Sequence, residues 1–133
     1  MKERTGVITK SGNPATLVGN EVKVGDIAPN FTVLDNSGNE VKFSSFKGNT
    51  IIISSILSLD TGVCDLQTKR FSKEAENLGS DIKILTISMD LPYAQKRWCG
   101  TEGVTNVTIM TLRLALLMAF SSKNCVFWQG LSL

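Results

Sequence analysis

The chain has no histidine. That absence removes the nucleophile pairs in which an imidazole takes the proton of a serine or cysteine, and any zinc site ligated by histidine. Cysteine is scarce as well: there are three, none spaced as CxxC, which argues against a structural zinc or a dithiol of thioredoxin type. Three are too few for a secreted disulfide scaffold, and in a reducing compartment a pair such as Cys64 and Cys99 is redox-active more often than structural. Charge of one sign is lacking too. Fourteen Lys and Arg stand against twelve Asp and Glu, a net charge of +2 with no basic tail, so nothing points to nucleic acid or an anionic membrane. The apolar run Leu114 to Phe120, with Arg113 just upstream, falls far short of the roughly 20 residues that span a bilayer, and reads as a buried helix. The amino terminus, MKERTGVITKSG, has charge but no apolar stretch of the secretory kind, so a cytoplasmic protein is expected. What is left, 133 residues at 42% apolar and 20% charged, suits one soluble domain with one core.

For catalysis these absences leave a thiolate that works without histidine. The stretch SLDTGVCDLQTKRF, Ser58 to Phe71, reads as a loop turning into a helix, because Asp60 and Thr61 are N-cap types and an amphipathic run follows. Cys64 falls at the start of that helix, where unpaired backbone N–H groups favour negative charge and hence a thiolate. Lys69 and Arg70 add positive charge further along. Thr61, three residues before the sulfur, is placed to set its hydroxyl against the thiolate or against an oxygen of a bound substrate. On spacing alone, a buried cysteine without chemistry is an equal alternative.

Along the rest of the chain, Val7 to Lys10 and Ala15 to Val18 flank Ser11-Gly12-Asn13-Pro14 and predict an opening β-hairpin. Phe31 to Leu34 and Val41 to Phe43, around Asp35-Asn36-Ser37-Gly38, predict a second one. Thr50 to Ile56 is a continuous β-branched run, the mark of a strand buried on both faces. The helix after it carries Phe71, Ala75 and Leu78 at spacings of four and three, with Gly79 just past its end. Asp81 to Ile87 predicts the next strand, which makes a βαβ unit of the right-handed kind. A second helix starts at Leu91-Pro92-Tyr93 and puts Cys99 in its last turn, among Lys96, Arg97 and Trp98. A helix carboxyl end does not acidify a thiol, so Cys99 suits a second step better than a first. A half-buried structural cysteine beside Trp98 is the plainer reading.

The string SLDTGVCDLQTKRF resembles the active-site segment of the bacterial thiol peroxidases, a peroxiredoxin subfamily of the atypical 2-Cys kind. TISMDLPYAQKRWCGTEG, Thr86 to Gly103, resembles its resolving-cysteine segment, and GNPATLVG and GNEVKVGDIAPNFTVLD match as well. The resemblance covers about residues 5 to 108. It implies an α/β, thioredoxin-like fold with an N-terminal β-hairpin, Cys64 as peroxidatic and Cys99 as resolving cysteine, and Thr61 as the hydroxyl partner of thiolate and substrate. It implies hydrogen peroxide and organic hydroperoxides as substrates, thioredoxin as reductant, a homodimer, and no cofactor: no metal, flavin or haem. One departure lies in the pocket, where the family has proline and this chain has Leu57.

From Ile109 the chain departs altogether. Read in a shifted frame, codons for this tail can encode NDFKTGSFDGVFIKELRFLARSVF, closely similar to what thiol peroxidases carry at this place. The expectation is a frameshift near Thr108 or Ile109, giving residues 1–108 as an incomplete peroxiredoxin domain and 109–133 as an out-of-frame tail that lacks the family's C-terminal strand and helix. The family's arginine beside the peroxidatic sulfur would then be overlain by Gln129 and Gly130, and Cys125 has no role. Three readings stay open at this point: a working peroxidase, an impaired relic of one, and a redox-sensing or binding module that uses the same two cysteines.

Overall fold

A computed structural model of the chain describes residues 2–10 and 12–112. The chain opens with the expected hairpin, β1 (Glu3–Lys10) against β2 (Asn13–Val18), antiparallel and forming a sheet of its own. The register shifts between Arg4 and Ile8, around Gly6 at φ 71°, a conformation that favours glycine. Among the described residues, the other strands make one five-stranded sheet in the order β4-β3-β7-β6-β5, from β3 (Thr32–Leu34), β4 (Glu40–Lys42), β5 (Thr50–Ser55), β6 (Ile82–Ser88) and β7 (Thr108–Leu112). The strands β5, β6 and β7 are parallel neighbours, whereas β3 runs antiparallel to both β7 and β4.

The β-branched run explains the middle of this sheet. Side chains alternate along a strand, so Ile51 and Ile53 go to one face with Leu85, Ile87 and Met110, while Ile52 goes to the other with Ile84 and Ile109. The first face is closed by Phe43 and by the partly buried Phe31 and Phe46, with Phe31 and Phe43 stacked at 4.7 Å. The second lies beneath α1 (Gly62–Ala75) and α2 (Pro92–Glu102), which join β5 to β6 and β6 to β7. Both cysteines belong to that second cluster, Cys64 from α1 and Cys99 from α2.

Two details differ from the sequence reading. Leu78 lies past α1 and is exposed. Over the last residues the backbone bonds tighten to three-residue steps, Asn77 N–H to Glu74 and Leu78 N–H to Ala75, and three residues per turn rotate Leu78 off the apolar face. In its place the polar Thr68 and Ser72 are buried on α1. At the other end, β7 carries the sheet through Leu112, so the first four residues after the expected boundary at 108 are a strand with Ile109, Met110 and Thr111 buried. Residues 113–133, with Cys125, Gln129, Gly130 and the expected buried helix at Leu114 to Phe120, lie outside the described residues. No helix among the described residues is long and apolar enough to cross a membrane.

Candidate active site

Cys64 is the third residue of α1 and half-buried against the apolar cluster. The loop before it is a turn closed on Ser58: Asp60 N–H donates to Ser58 Oγ (3.1 Å), Thr61 N–H to the Ser58 carbonyl (3.1 Å), and Thr61 Oγ1 to that same carbonyl (2.9 Å). Thr61 is the N-cap by backbone conformation, φ −89° and ψ 135°, yet its side chain makes no capping bond. Its hydroxyl proton is already committed to Ser58. The first intrahelical bond runs from Asp65 N–H to the Thr61 carbonyl at 2.9 Å, so the N–H groups of the turn that carries Cys64 have no capping side chain and present their positive ends to an anion.

The loop is held by Asp90, which lies just past the end of β6. Its carboxylate accepts Ser58 Oγ (2.7 Å), Leu59 N–H (2.8 Å) and Ser88 Oγ (2.8 Å), and its carbonyl accepts Thr111 Oγ1 (2.7 Å). Gln95 Nε2, fully buried on α2, donates to Ser88 Oγ at 2.9 Å. One side chain therefore joins the Cys64 loop to the root of the helix that carries Cys99. Sequence reasoning missed Asp90.

Cys99 lies on the apolar side of α2, half-buried, with the Asn36 amide donating to its sulfur at 3.7 Å. Asn36 sits in the β3–β4 turn, where Asp35 accepts Ser37 N–H (2.8 Å), Asn39 N–H (2.9 Å) and the Asn39 amide (3.1 Å). Those bonds, the Asn39 backbone first, hold the Asp35 carboxyl below its ordinary range. Burial pushes the Cys99 thiol above its ordinary value, and the Asn36 amide pulls the other way. No spacing could have shown this contact: Asn36 and Cys99 are 63 residues apart and meet because β3 pairs with β7.

The two helices are also tied to each other beside the cysteines. Trp98 Nε1 donates to Asp65 Oδ1 at 3.0 Å, and Lys69 Nζ bridges Asp65 Oδ2 at 3.0 Å and Glu102 Oε2 at 2.6 Å. The Glu102 and Asp65 carboxylates hold the Lys69 ammonium above its ordinary value. Lys69 is thus spent on its own helix pair, while Arg70 and Arg97, the other expected cations, are exposed. No cationic side chain is hydrogen-bonded to Cys64 among the described residues, and Leu57 is 46% exposed at the mouth of the loop.

Both cysteines are free thiols. Both helices start at the carboxyl end of parallel strands, and Cys64 is two residues into its helix whereas Cys99 is seven into its own. The two sulfurs are not bonded to each other in this structure, although both pack on the same apolar cluster.

The match to known proteins agrees with this geometry. Residues 23–123 match the family described as redoxin. The chain is 57% identical over 104 residues to the thiol peroxidase of Bacillus subtilis, covering 78% of this chain and 62% of that protein. It is 58% identical over 97 residues to the thiol peroxidase of Halalkalibacterium halodurans, covering 73% and 58%. It thus spans about three-fifths of the length of these relatives. A crystal structure of a peroxiredoxin-like protein from Aquifex aeolicus superposes with a TM-score of 0.71 at 40% identity, over 76% of this chain and 58% of that one. A match that runs from the second hairpin through both cysteine helices makes this chain a member of the redoxin family, similar within it to the bacterial thiol peroxidases.

Proposed function

We propose that this chain is a thiol peroxidase that reduces hydrogen peroxide and small organic hydroperoxides. The observation that carries the reading is the pair of free thiols on one apolar cluster, Cys64 at an uncapped helix start and Cys99 near the end of the next helix. The Cys64 thiolate attacks the peroxide O–O bond, becomes a sulfenic acid and releases water or an alcohol. Cys99 then attacks that sulfur, and a dithiol donor of thioredoxin type reduces the disulfide by exchange. Thr61 bonds the peroxide oxygen once its hydroxyl turns from Ser58. The experiment is stoichiometric: one equivalent of hydrogen peroxide added to reduced protein should give one Cys64–Cys99 disulfide by peptide mass spectrometry, with Cys125 still alkylatable. Oxidation that leaves Cys64 and Cys99 free would sink the reading. A homodimer and a cytoplasmic setting belong to the same proposal, by likeness to the family.

The raised Cys99 thiol gives this cycle a pH dependence. Its folded value lies above its unfolded one, so the chain binds the proton more tightly when folded and loses stability as pH rises through that range. Cys99 accordingly stays protonated at neutral pH, and disulfide formation from the sulfenic acid should keep accelerating beyond about pH 8.5, the ordinary cysteine value. Rapid quench across a pH series checks it, and a plateau below neutrality would contradict it.

A second reading has an observation of its own. Leu57 stands where the family has proline, and no cation bonds Cys64 among the described residues, which favours a slow redox sensor or an impaired relic using the same two cysteines. Rate separates the readings: a peroxidase oxidises far faster than a free thiol, a sensor modestly, and a relic hardly at all.

A further inference from the structure

The contacts between α1 and α2 fall on the sequence neighbours of the two cysteines. Asp65 follows Cys64, Trp98 precedes Cys99, and Glu102 lies three residues beyond it. The indole N–H of Trp98 and, through Lys69, the Glu102 carboxylate both end on the one carboxylate of Asp65. On its other side Cys99 is held by the Asn36 amide. The last turn of α2 is weak in itself. Gly100 sits inside it, where glycine costs helix stability. It closes on Gly103 at φ 65°, with Val104 N–H and the Gly103 N–H both bonded to the Cys99 carbonyl. A turn that would fray readily is therefore pinned from outside, at the residues beside the thiol that has to move.

We propose that Asp65, acting through Trp98 Nε1 and through Lys69 to Glu102, is a latch that keeps Cys99 apart from Cys64 and sets the rate at which the sulfenic acid is resolved. The inference rests on the peroxidase reading above. In the step concerned, Cys99–SH and Cys64–SOH give the Cys64–Cys99 disulfide and one water: the S–O bond breaks, the S–S bond forms, and the Cys99 proton leaves with the departing hydroxide. The oxidising equivalents came from the hydroperoxide. Opening α2 brings the sulfurs within bonding reach, and opening breaks both tethers. While the latch is closed, the sulfenic acid stays exposed to a second peroxide, which takes it to sulfinic acid. Asp65, Trp98, Lys69 and Glu102 are thus positioning residues that act on the cysteines without touching the reacting atoms.

The test uses the full chain with Trp98→Phe, which keeps an aromatic side chain of smaller size and removes the N–H, and Glu102→Gln, which removes the ion pair at a partly exposed site. In a Cys64→Ser background, alkylation of Cys99 by a maleimide, followed by peptide mass spectrometry, reads the latch without any peroxide chemistry. Trp98→Phe should label about tenfold faster, the change expected when one hydrogen bond to a charged group is lost, and Glu102→Gln about two- to fivefold faster, the change expected for a partly exposed ion pair. With Cys64 restored, disulfide formation should accelerate by a similar factor, and the hydrogen peroxide concentration that turns half of Cys64 into sulfinic acid should rise in proportion. Formation of the sulfenic acid itself should not change. Unaltered labelling in both variants would overturn the latch, and faster labelling with unaltered or slower disulfide formation would overturn its timing role. A parent chain that forms no such disulfide would refute the peroxidase reading and the timing role together, while the labelling rates would still decide whether the tether exists.

Discussion

Replacing Cys99 by serine should leave a chain that reacts with hydrogen peroxide once and then stops. The first step belongs to Cys64 at the head of α1, and Cys99 lies on a different helix, so sulfenic acid should form at an unchanged rate. Serine is nearly isosteric and keeps an acceptor for the Asn36 amide, which argues against a folding defect. Its hydroxyl does not attack a sulfenic sulfur at neutral pH. Steady turnover with a dithiol donor should therefore fall to that of the Cys64→Ser chain, and Cys64 should accumulate as sulfenic, then sulfinic, acid. Mass spectrometry of Cys64 after one and after ten equivalents of peroxide measures both. Continued turnover in Cys99→Ser would mean that the donor reduces Cys64 directly.

Asp90→Ala should damage stability and chemistry together. Its carboxylate accepts three hydrogen bonds, two from the loop before α1, including the backbone N–H of Leu59, and one from Ser88 at the end of β6. Hydrogen bonds to a charged group contribute about 1.5–3 kcal/mol each, and losing partners of partly buried donors leaves some of them unsatisfied, so the cost should be about 3 kcal/mol. That is a large share of the roughly 5–15 kcal/mol that holds a domain together. A urea titration should show a lower midpoint. Sulfenic acid formation at Cys64 should slow as well, because the turn from Ser58 to Thr61 loses its outer support. Asp90→Asn retains an acceptor for Leu59 N–H and should recover most of the stability. Equal midpoints for Asp90→Ala and the parent chain would show that the loop does not depend on this carboxylate.

The parts of the fold that were legible in the sequence are those whose signal is local. Thr50 to Ile56 declared a buried strand because both faces needed apolar side chains, and Asp60-Thr61 declared a helix start. Cys64 followed from the two together. Asp90 and Asn36 were not legible, because each acts on a segment brought alongside by strand pairing: β5 on β6 carries Ser58 to Asp90, and β3 on β7 carries Asn36 to Cys99. Lys69 was legible as a cation near Cys64 but not as one already held by Asp65 and Glu102, since the latter comes from another helix. The strand from Thr108 to Leu112 escaped notice because its residues were read with the tail that follows. A strand needs only backbone partners and a face to bury, and β6 and β3 supply both.

The most direct measurement is the rate at which purified, reduced chain consumes hydrogen peroxide with a thioredoxin regenerating system, set against Cys64→Ser under the same conditions. The peroxidase account predicts turnover far above that of a free thiol, lost completely in the variant. Equal rates from the two chains, both soluble and monodisperse, would contradict it and leave a member of the redoxin family whose thiols no longer carry out the family's chemistry.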